Sequence, residues 1–333
     1  MVENTVFPLI LDCDTGEDDA IAIVLSVVSG LPLKYIVSCH GNTTLNNATK
    51  NSSRILSLLK AKNIKIIKGA NAPTLPHLWE PPGFTAGSDF LGNNGLCNLS
   101  LPHSKYKNVL NFEPDKYIEK LSEIIKKEKQ VDYIITGPCT NFALLCDYFG
   151  NDLKNCIRNL YIMGGAIYIR GTRGAGVKNT NHDKTKKTPE TWAEFNFYCD
   201  PYAVKKILSK GFNPIVVTWD QCIKFELPFK DISRMKSNTP GGKFIIRLMH
   251  AFMKLYGLKN KTKFELCDPL TIMAYLGYGK LKKDKINIVT SKNHFGKSYH
   301  DTNGHKIRYF YVRSKNDVKQ IISAMLKKLE ISF

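Results

Sequence analysis

Short apolar runs alternate with amphipathic stretches along this chain, and the alternation predicts an α/β sheet. Runs rich in Ile, Val and Leu predict buried strands, whereas apolar residues spaced three or four apart predict the helices between them. The predicted strands are residues 7–11, 33–39, 64–67, 131–135, 159–163 and 214–218, with a late pair at 286–289 and 307–312. The predicted helices are residues 20–25, 46–60, 114–129, 141–149, 200–210, 243–256, 268–276 and 316–329. We therefore expect a mostly parallel, mixed sheet with helices on both faces.

Two irregular segments interrupt the alternation. Residues 72–108 are rich in Pro, Gly and Asn, and structureless segments of this length inside a domain are usually functional loops. Residues 171–189 are polar and basic and predict a mobile loop. Neither has the composition of a linker between domains, so we expect a single domain over residues 1–333 with an open α/β fold.

The first predicted strand ends in a segment rich in carboxylates, residues 12–19, which we call the carboxylate turn. Four aspartates lie within these eight residues: Asp12, Asp14, Asp18 and Asp19. A turn between a buried strand and a helix belongs at the carboxyl edge of the sheet, where open α/β folds bind ligands. Carboxylates this close raise each other's pKa and repel unless a cation neutralises them. The turn predicts a site for Ca²⁺ or Mg²⁺; the alternative is that Asp18 and Asp19 only cap the helix.

The net charge of +19 raises the question of a nucleic-acid partner. The excess Lys residues are spread along the chain, and no recognisable RNA- or DNA-binding motif accompanies them. We therefore expect a solvated basic surface and no nucleic-acid partner. The alternative, a nucleic-acid-binding protein, would show binding that weakens steeply with salt.

Cysteine use and hydropathy indicate the compartment. Nine cysteines, an odd number with no C-x-x-C pair, indicate reduced cytosolic thiols rather than a disulfide framework or a zinc site. No apolar run reaches the 18 or so residues that a membrane span needs, and the first residues lack the pattern of a signal peptide. The expectation is a cytoplasmic protein without a membrane partner.

Two other motifs fit the chain poorly. Asp12 and Asp14 match the D-x-D-x-T motif of haloacid-dehalogenase-type phosphatases, but Gly16 occupies the Thr position. Residues 241–244, GGKF, lack the spaced Gly and the Ser or Thr of a phosphate-binding loop.

The carboxylate turn has partners further along the chain. Residues 12–20, DCDTGEDDA, resemble the D-x-D-x-G-x-D-D-A signature of the inosine–uridine nucleoside hydrolase family. Further matches follow in the expected order at residues 41–43 (GNT), 136–141 (TGPCTN), 163–165 (MGG), 193–196 (AEFN) and 267–269 (CDP). The resemblance covers nearly the whole chain and implies a nucleoside hydrolase-like fold.

The resemblance also implies an activity and a site. The protein would be a calcium-dependent nucleoside N-ribohydrolase of purine or pyrimidine salvage, releasing free base and ribose from a nucleoside or related riboside. The implied Ca²⁺ ligands are Asp14, Asp19, the backbone carbonyl of Thr136 and Asp268, with Asp14 also the general base. The implied substrate contacts are Asp18, Asn42, Trp79, Met163, Asn181, Glu194, Phe195, Asn196, Tyr256 and Cys267. We expect a homodimer or homotetramer.

The chain departs from the family on the side of the leaving base. Family members of the inosine–uridine type carry His immediately before the last calcium-ligating Asp, where this chain has Cys267. They carry another His in an H-G-x-x-G loop, where this chain has Leu91. A thiol is a poor proton donor, and Trp79, Tyr256 and Phe252 are candidates for stacking on the base instead. The departures motivate an alternative, a catalytically weak member that binds nucleosides or other ribosides, and leave the base preference open.

Overall fold

A computed structural model describes residues 6–75, 77, 91–113, 115–168, 193–257, 262–291 and 294–333. Its strands are β1 (Leu9–Cys13), β2 (Leu33–Ser38), β3 (Lys65–Lys68), β4 (Val109–Leu110), β5 (Val131–Ile135), β6 (Ile157–Met163), β7 (Ile215–Val217), β8 (Glu226–Pro228), β9 (Lys263–Glu265), β10 (Lys280–Ile288), β11 (Ser298–His300) and β12 (His305–Tyr311). Its helices are α1 (Glu17–Val28), α2 (Leu45–Leu58), α3 (Tyr117–Glu128), α4 (Thr140–Phe149), α5 (Leu153–Cys156), α6 (Phe195–Cys199), α7 (Pro201–Ser209), α8 (Trp219–Cys222), α9 (Phe229–Ile232), α10 (Pro240–Gly257), α11 (Cys267–Tyr275) and α12 (Lys315–Lys328).

The main sheet has the strand order β11-β10-β12-β7-β6-β5-β1-β2-β3-β4. Adjacent strands of this sheet pair in parallel from β4 through to β12. At the other edge, β10 and β11 add antiparallel strands. This arrangement confirms the predicted mostly parallel, mixed sheet. β1 lies inside the sheet between β2 and β5, and all five of its residues are buried. Its unbroken apolar start follows from this position, because parallel strands are covered on both faces.

The chain changes direction across the sheet at β1. It runs outward through β2, β3 and β4, and then returns to pair β5 with the other side of β1. In open α/β sheets, ligands bind at the carboxyl ends of the strands where the order reverses in this way. The segments after β1, β2, β5 and β6 therefore meet at one edge, and they contain most of the residues of the predicted site.

Two hydrophobic layers cover the sheet. One face packs against helices that include α1, α10, α11 and α12, and the other packs against helices that include α3, α4 and α7. Helix α1 follows the carboxylate turn directly and has eight buried residues, so the turn is tied to the core on both sides. In the described part of the chain, every helix is too short or too polar to cross a membrane.

Several short elements were not predicted. Strand β4 has two residues, and the β8–β9 pair has three in each strand, too few for a periodic pattern. The predicted late strand pair is confirmed as β10 and β12. However, β10 begins at Lys280, six residues before the predicted start. The prediction missed this first half because it is mostly exposed and rich in lysine. The predicted loop at 171–189 and much of the segment 72–108 lie outside the described residues.

Truncation of Phe142 tests how much the hydrophobic layer between β5 and α4 contributes to the free energy of unfolding. Phe142 is fully buried on α4, with its ring 4.9 Å from the Tyr133 ring and 5.1 Å from the Phe212 ring between centroids. Phe142→Ala should lower the free energy of unfolding by about 3–5 kcal/mol, measured by urea denaturation. Tyr148→Ala on the same helix is the control, since Tyr148 is 54% exposed. A loss for Phe142→Ala no larger than for Tyr148→Ala would contradict this packing.

Candidate active site

Three carboxylates from two distant segments converge at the amino end of α1. Asp18 and Asp19 lie in the first turn of α1, and Asp268 lies at the start of α11, which packs against α1. One carboxylate oxygen from each residue lies within 4.8 Å of the others. Asp19 and Asp268 are buried. The packing of α11 on α1 therefore brings together Asp18 and Asp268, which are 250 residues apart in sequence.

Asp14 lies beside this cluster and is held by the segment after β2. One of its carboxylate oxygens accepts the backbone N–H of Asn42, and the other accepts the Asn42 amide Nδ2 at 3.3 Å. The same Nδ2 lies 3.5 Å from Asp19 Oδ2. Gly41 has φ +152°, and a Cβ there would lie 1.9 Å from Asp14 Oδ2. The backbone at Gly41 and Asn42 thus fixes where the Asp14 carboxylate lies.

The segment after β5 closes the opposite side. Thr136 donates its hydroxyl to Asp19 Oδ1 at 2.7 Å. The backbone carbonyl of Thr136 accepts Asn196 Nδ2 at 2.7 Å, and Asn196 also lies 3.2 Å from the Met163 carbonyl and 3.3 Å from its sulfur. The structure thus brings together four of the predicted residues, Thr136, Asp19, Asn196 and Met163, by direct contacts.

Glu194 is fixed by backbone amides. As the N-cap of α6, its carboxylate accepts the amides of Asn196 and Phe197, and it also accepts the Gly165 amide at 2.9 Å. Glu194 is buried, and the loss of hydration raises the pKa of this carboxyl despite those amides. The carboxylate therefore couples the turn after β6 to α6.

A second layer of polar side chains lies beneath the cluster. Asp12 is fully buried and accepts the Tyr133 hydroxyl at 2.9 Å and Asn141 Nδ2 at 2.8 Å. Burial raises the pKa of Asp12 to about 7. The side-chain oxygen of Asn141, Oδ1, accepts the backbone N–H of Ala70 after β3. Asp12 thus links β1 directly to β5 through Tyr133, and through Asn141 to the segment after β3.

A second polar chain joins the loop after β3 to the site, and sequence reasoning missed it. Asp200 accepts the Thr74 backbone N–H at 2.7 Å and the Thr140 hydroxyl at 2.8 Å. Thr140 Oγ1 is also 3.0 Å from His40 Nε2. Burial lowers the pKa of His40 to about 3, so this imidazole is neutral. The pairs are separated by 60 to 126 residues of common polar types, so no sequence pattern marks them.

The electrostatics of the cluster favour a bound cation. Burial and then the charge of Asp19 raise the pKa of Asp14, and the same causes raise the pKa of Asp18 to about 7. Burial and then the charge of Asp18 raise the pKa of Asp268. Shared hydrogen bonds relieve only part of this repulsion, whereas a hard divalent cation with oxygen ligands would neutralise it. The donor set of carboxylates and one backbone carbonyl fits such a cation.

The predicted base side of the pocket is only partly described. Cys267 is buried, and a contact with the Cys222 thiol together with burial raises the pKa of Cys267. Leu91 is buried in the hydrophobic core. Phe252 packs against the rings of Phe229 and Phe264 in the same core. Phe195 is half-buried at the start of α6. The remaining predicted contacts, Trp79, Asn181 and the side chain of Tyr256, lie outside the described residues.

Comparisons with known proteins agree with this architecture. Residues 9–325 match the family model of the inosine-uridine preferring nucleoside hydrolases. The chain is 32% identical over 273 residues to the pyrimidine-specific ribonucleoside hydrolase RihA of Salmonella dublin, covering 80% of this chain and 78% of that protein. The fold resembles a plant nucleoside hydrolase, PpNRh1, with a TM-score of 0.78, 17% identity and 98% and 99% of the two chains covered. It also resembles a purine-preferring ribonucleoside hydrolase from Gardnerella vaginalis, with a TM-score of 0.77, 21% identity and 97% and 99% covered.

Substitution of Gly41 tests whether the backbone after β2 sets the position of Asp14. In Gly41→Ala the new methyl group would collide with the Asp14 carboxylate, so kcat/KM for ribonucleoside hydrolysis should fall by about a hundredfold, as expected for a displaced catalytic group. Gly30→Ala is a matched control, because Gly30 also has a positive φ (+65°) but no atom within 4 Å of the new Cβ.

The control separates backbone strain from the collision. Gly30→Ala should be destabilised by about 1 kcal/mol and keep its kcat/KM. Similar kcat/KM values for both folded variants would contradict the role assigned to Gly41.

Proposed function

The chain belongs to the inosine-uridine preferring nucleoside hydrolase family, and from that premise we propose that it holds Ca²⁺ in its carboxylate turn to hydrolyse ribonucleosides. The predicted family and enzyme class are confirmed: the protein is a ribonucleoside N-ribohydrolase, which cleaves the N-glycosidic bond. The single observation that supports the metal is the approach of Asp18, Asp19 and Asp268 oxygens to within 4.8 Å.

We assign the ion to Asp14, Asp19, Asp268 and the backbone carbonyl of Thr136. These groups offer only oxygen ligands, which Ca²⁺ prefers. When bound, the cation would neutralise the cluster and make a nearby water easier to deprotonate at neutral pH.

Asp14 is the proposed general base. Its carboxylate is oriented by two donors of Asn42, so one geometry is maintained while a water is deprotonated. Desolvation raises the pKa of Asp14 in the absence of a cation, which suits a base that must take up a proton.

The remaining polar groups are proposed to hold the ribose. Hydrolysis of an N-glycoside passes through a sugar with oxocarbenium character, so negative charge near the ring stabilises the transition state. Asp18 and Asn42 would contact the ribose hydroxyls from one side, and Glu194 and Asn196 from the other. Glu194 and Asn196 are well suited to this because each is fixed by hydrogen bonds to the backbone.

The base preference is proposed from the relatives. RihA of Salmonella dublin is named pyrimidine-specific, so uridine and cytidine are the first substrates to test. A nucleoside-binding protein with weak turnover is the second candidate, favoured by Cys267 and Leu91 at positions where histidines were expected. A cytoplasmic location and a homodimer or homotetramer stay predictions.

A panel of ribosides assayed for free ribose tests the proposal. Turnover of uridine, cytidine, inosine or adenosine should fall to background in a calcium chelator and return with Ca²⁺. Asp14→Asn should lower kcat by a factor of about a hundred or more, since general base catalysis contributes on that order. Asp147→Asn, which changes an acid with a 52% exposed side chain, is the matched control and should keep full activity.

Two outcomes would contradict parts of this account. Turnover that is insensitive to the chelator would exclude the metal assignment. Calorimetric binding of nucleosides to the calcium-loaded protein without detectable release of ribose would favour the weak-binder alternative.

A further inference from the structure

A cavity lies at the carboxyl ends of β7 and β12, next to the turn that follows β6. Its volume is about 560 Å³, within the range of about 300–1,000 Å³ typical of small-molecule sites. Three tyrosines and two lysines contribute to its lining: Tyr168, Tyr309, Tyr311, Lys224 and Lys282. Among the described residues, none that is assigned to nucleoside hydrolysis lines this cavity.

One lysine of the cavity lies between two aromatic rings. The Lys282 ammonium is 4.6 Å from the centroid of the Tyr168 ring and 4.8 Å from that of Tyr309. Its neighbouring carboxylate, Asp284, is 3.8 Å away and also accepts the Tyr168 hydroxyl and lies 2.9 Å from His300 Nδ1. Asp284 thus places one negative charge beside the Lys282 ammonium and is held there by two further groups.

The other lysine has a neutral partner. Lys224 Nζ donates to Gln221 Oε1 at 2.9 Å. Burial lowers the pKa of Lys224, and the charge of Asp220 offsets this only partly. An ammonium in this setting gains from a negatively charged neighbour, because its amide partner supplies no charge.

The acid that lines the cavity is occupied elsewhere. The two carboxylate oxygens of Asp220 accept the backbone amides of Ile167 at 2.9 Å and Tyr168 at 2.6 Å. This carboxylate therefore fixes the turn after β6 and uses both of its oxygens for backbone hydrogen bonds. The described lining thus contains two ammonium groups and one carboxylate, a net charge of +1.

We propose that this cavity binds a phosphate monoester that carries a flat ring, of the nucleoside monophosphate class. A phosphate monoester has a charge of about −1.5 to −2 at pH 7, which matches two ammonium groups better than a single carboxylate does. Tyr168 and Tyr309 hold Lys282, whereas Tyr311 has no contact with Lys282 among the described ring contacts, so its ring is the face on which a nucleobase would stack, an interaction that tolerates any base. The site goes beyond nucleoside hydrolysis, since its described lining contains none of the groups assigned to that reaction.

Calorimetric titration of uridine 5′-monophosphate into the full-length protein tests the proposal. The titration is done in a calcium chelator, so that binding in the carboxylate turn is suppressed. Lys224→Gln and Lys282→Met should each weaken binding about tenfold or more, as expected for the loss of a charged hydrogen bond. Lys280→Met is the matched control: Lys280 is an exposed lysine two residues away on β10 that does not line the cavity, and binding should change less than about twofold.

Simpler probes separate the parts of the ligand. Uridine and inorganic phosphate should each bind more weakly than the monophosphate, because each has only one of the two recognised features. Thermal melting checks that each variant is folded. If Lys282→Met does not fold, Lys224→Gln alone tests the proposal.

Three results would overturn the proposal. The first is no binding of the monophosphate up to about 10 mM, the weak end of specific affinities. The second is an equal loss in Lys280→Met, which would indicate a diffuse attraction to the basic surface. The third is a loss of binding in Asp14→Asn, which would place the monophosphate in the nucleoside site.

Discussion

Mutual repulsion among buried carboxylates is the constraint on which the rest of this structure depends. Asp14, Asp18, Asp19 and Asp268 share the carboxyl edge of the sheet, and burial, followed by the charge of neighbouring carboxylates, raises the pKa of Asp14, Asp18 and Asp268. Removal of several carboxylates from water is costly unless positive charge or donors compensate. The surrounding fold supplies donors from Asn42 and Thr136, and the proposed Ca²⁺ supplies the charge. The same acidic setting stabilises a sugar that becomes positively charged during hydrolysis.

The topology makes this concentration of charge sustainable. β1 delivers the turn from the middle of the sheet, and α1 and α11 bring Asp268 to it through apolar packing. Beneath the turn, Asp12, Tyr133 and Asn141 form a hydrogen-bonded layer that ties three strands together. The hydrophobic core thus positions side chains that would separate in water.

Sequence reasoning reached features with a local signature. The alternation of strands and helices, the carboxylate turn and the later Asp268 were predicted because each has a period, a spacing or a match to a family motif. The chain from Thr74 through Asp200 and Thr140 to His40 was missed because it joins distant residues of ordinary types. The first half of β10 was missed because its lysines are exposed and lack the apolar alternation of a half-buried strand. The roles of Trp79, Asn181 and Tyr256 stay predictions.

The central claim is that a cation takes the place of protons in the carboxylate cluster. Calorimetric titration of Ca²⁺ into the metal-free protein, in buffers of different ionisation enthalpy, measures both affinity and protons released. Since the pKa of Asp18 is raised to about 7, its carboxyl is protonated below that pH and ionised above it. The account predicts that Ca²⁺ binds and releases more protons at pH 6 than at pH 8. Absence of Ca²⁺ binding, or binding with the same proton release at both pH values, would contradict it.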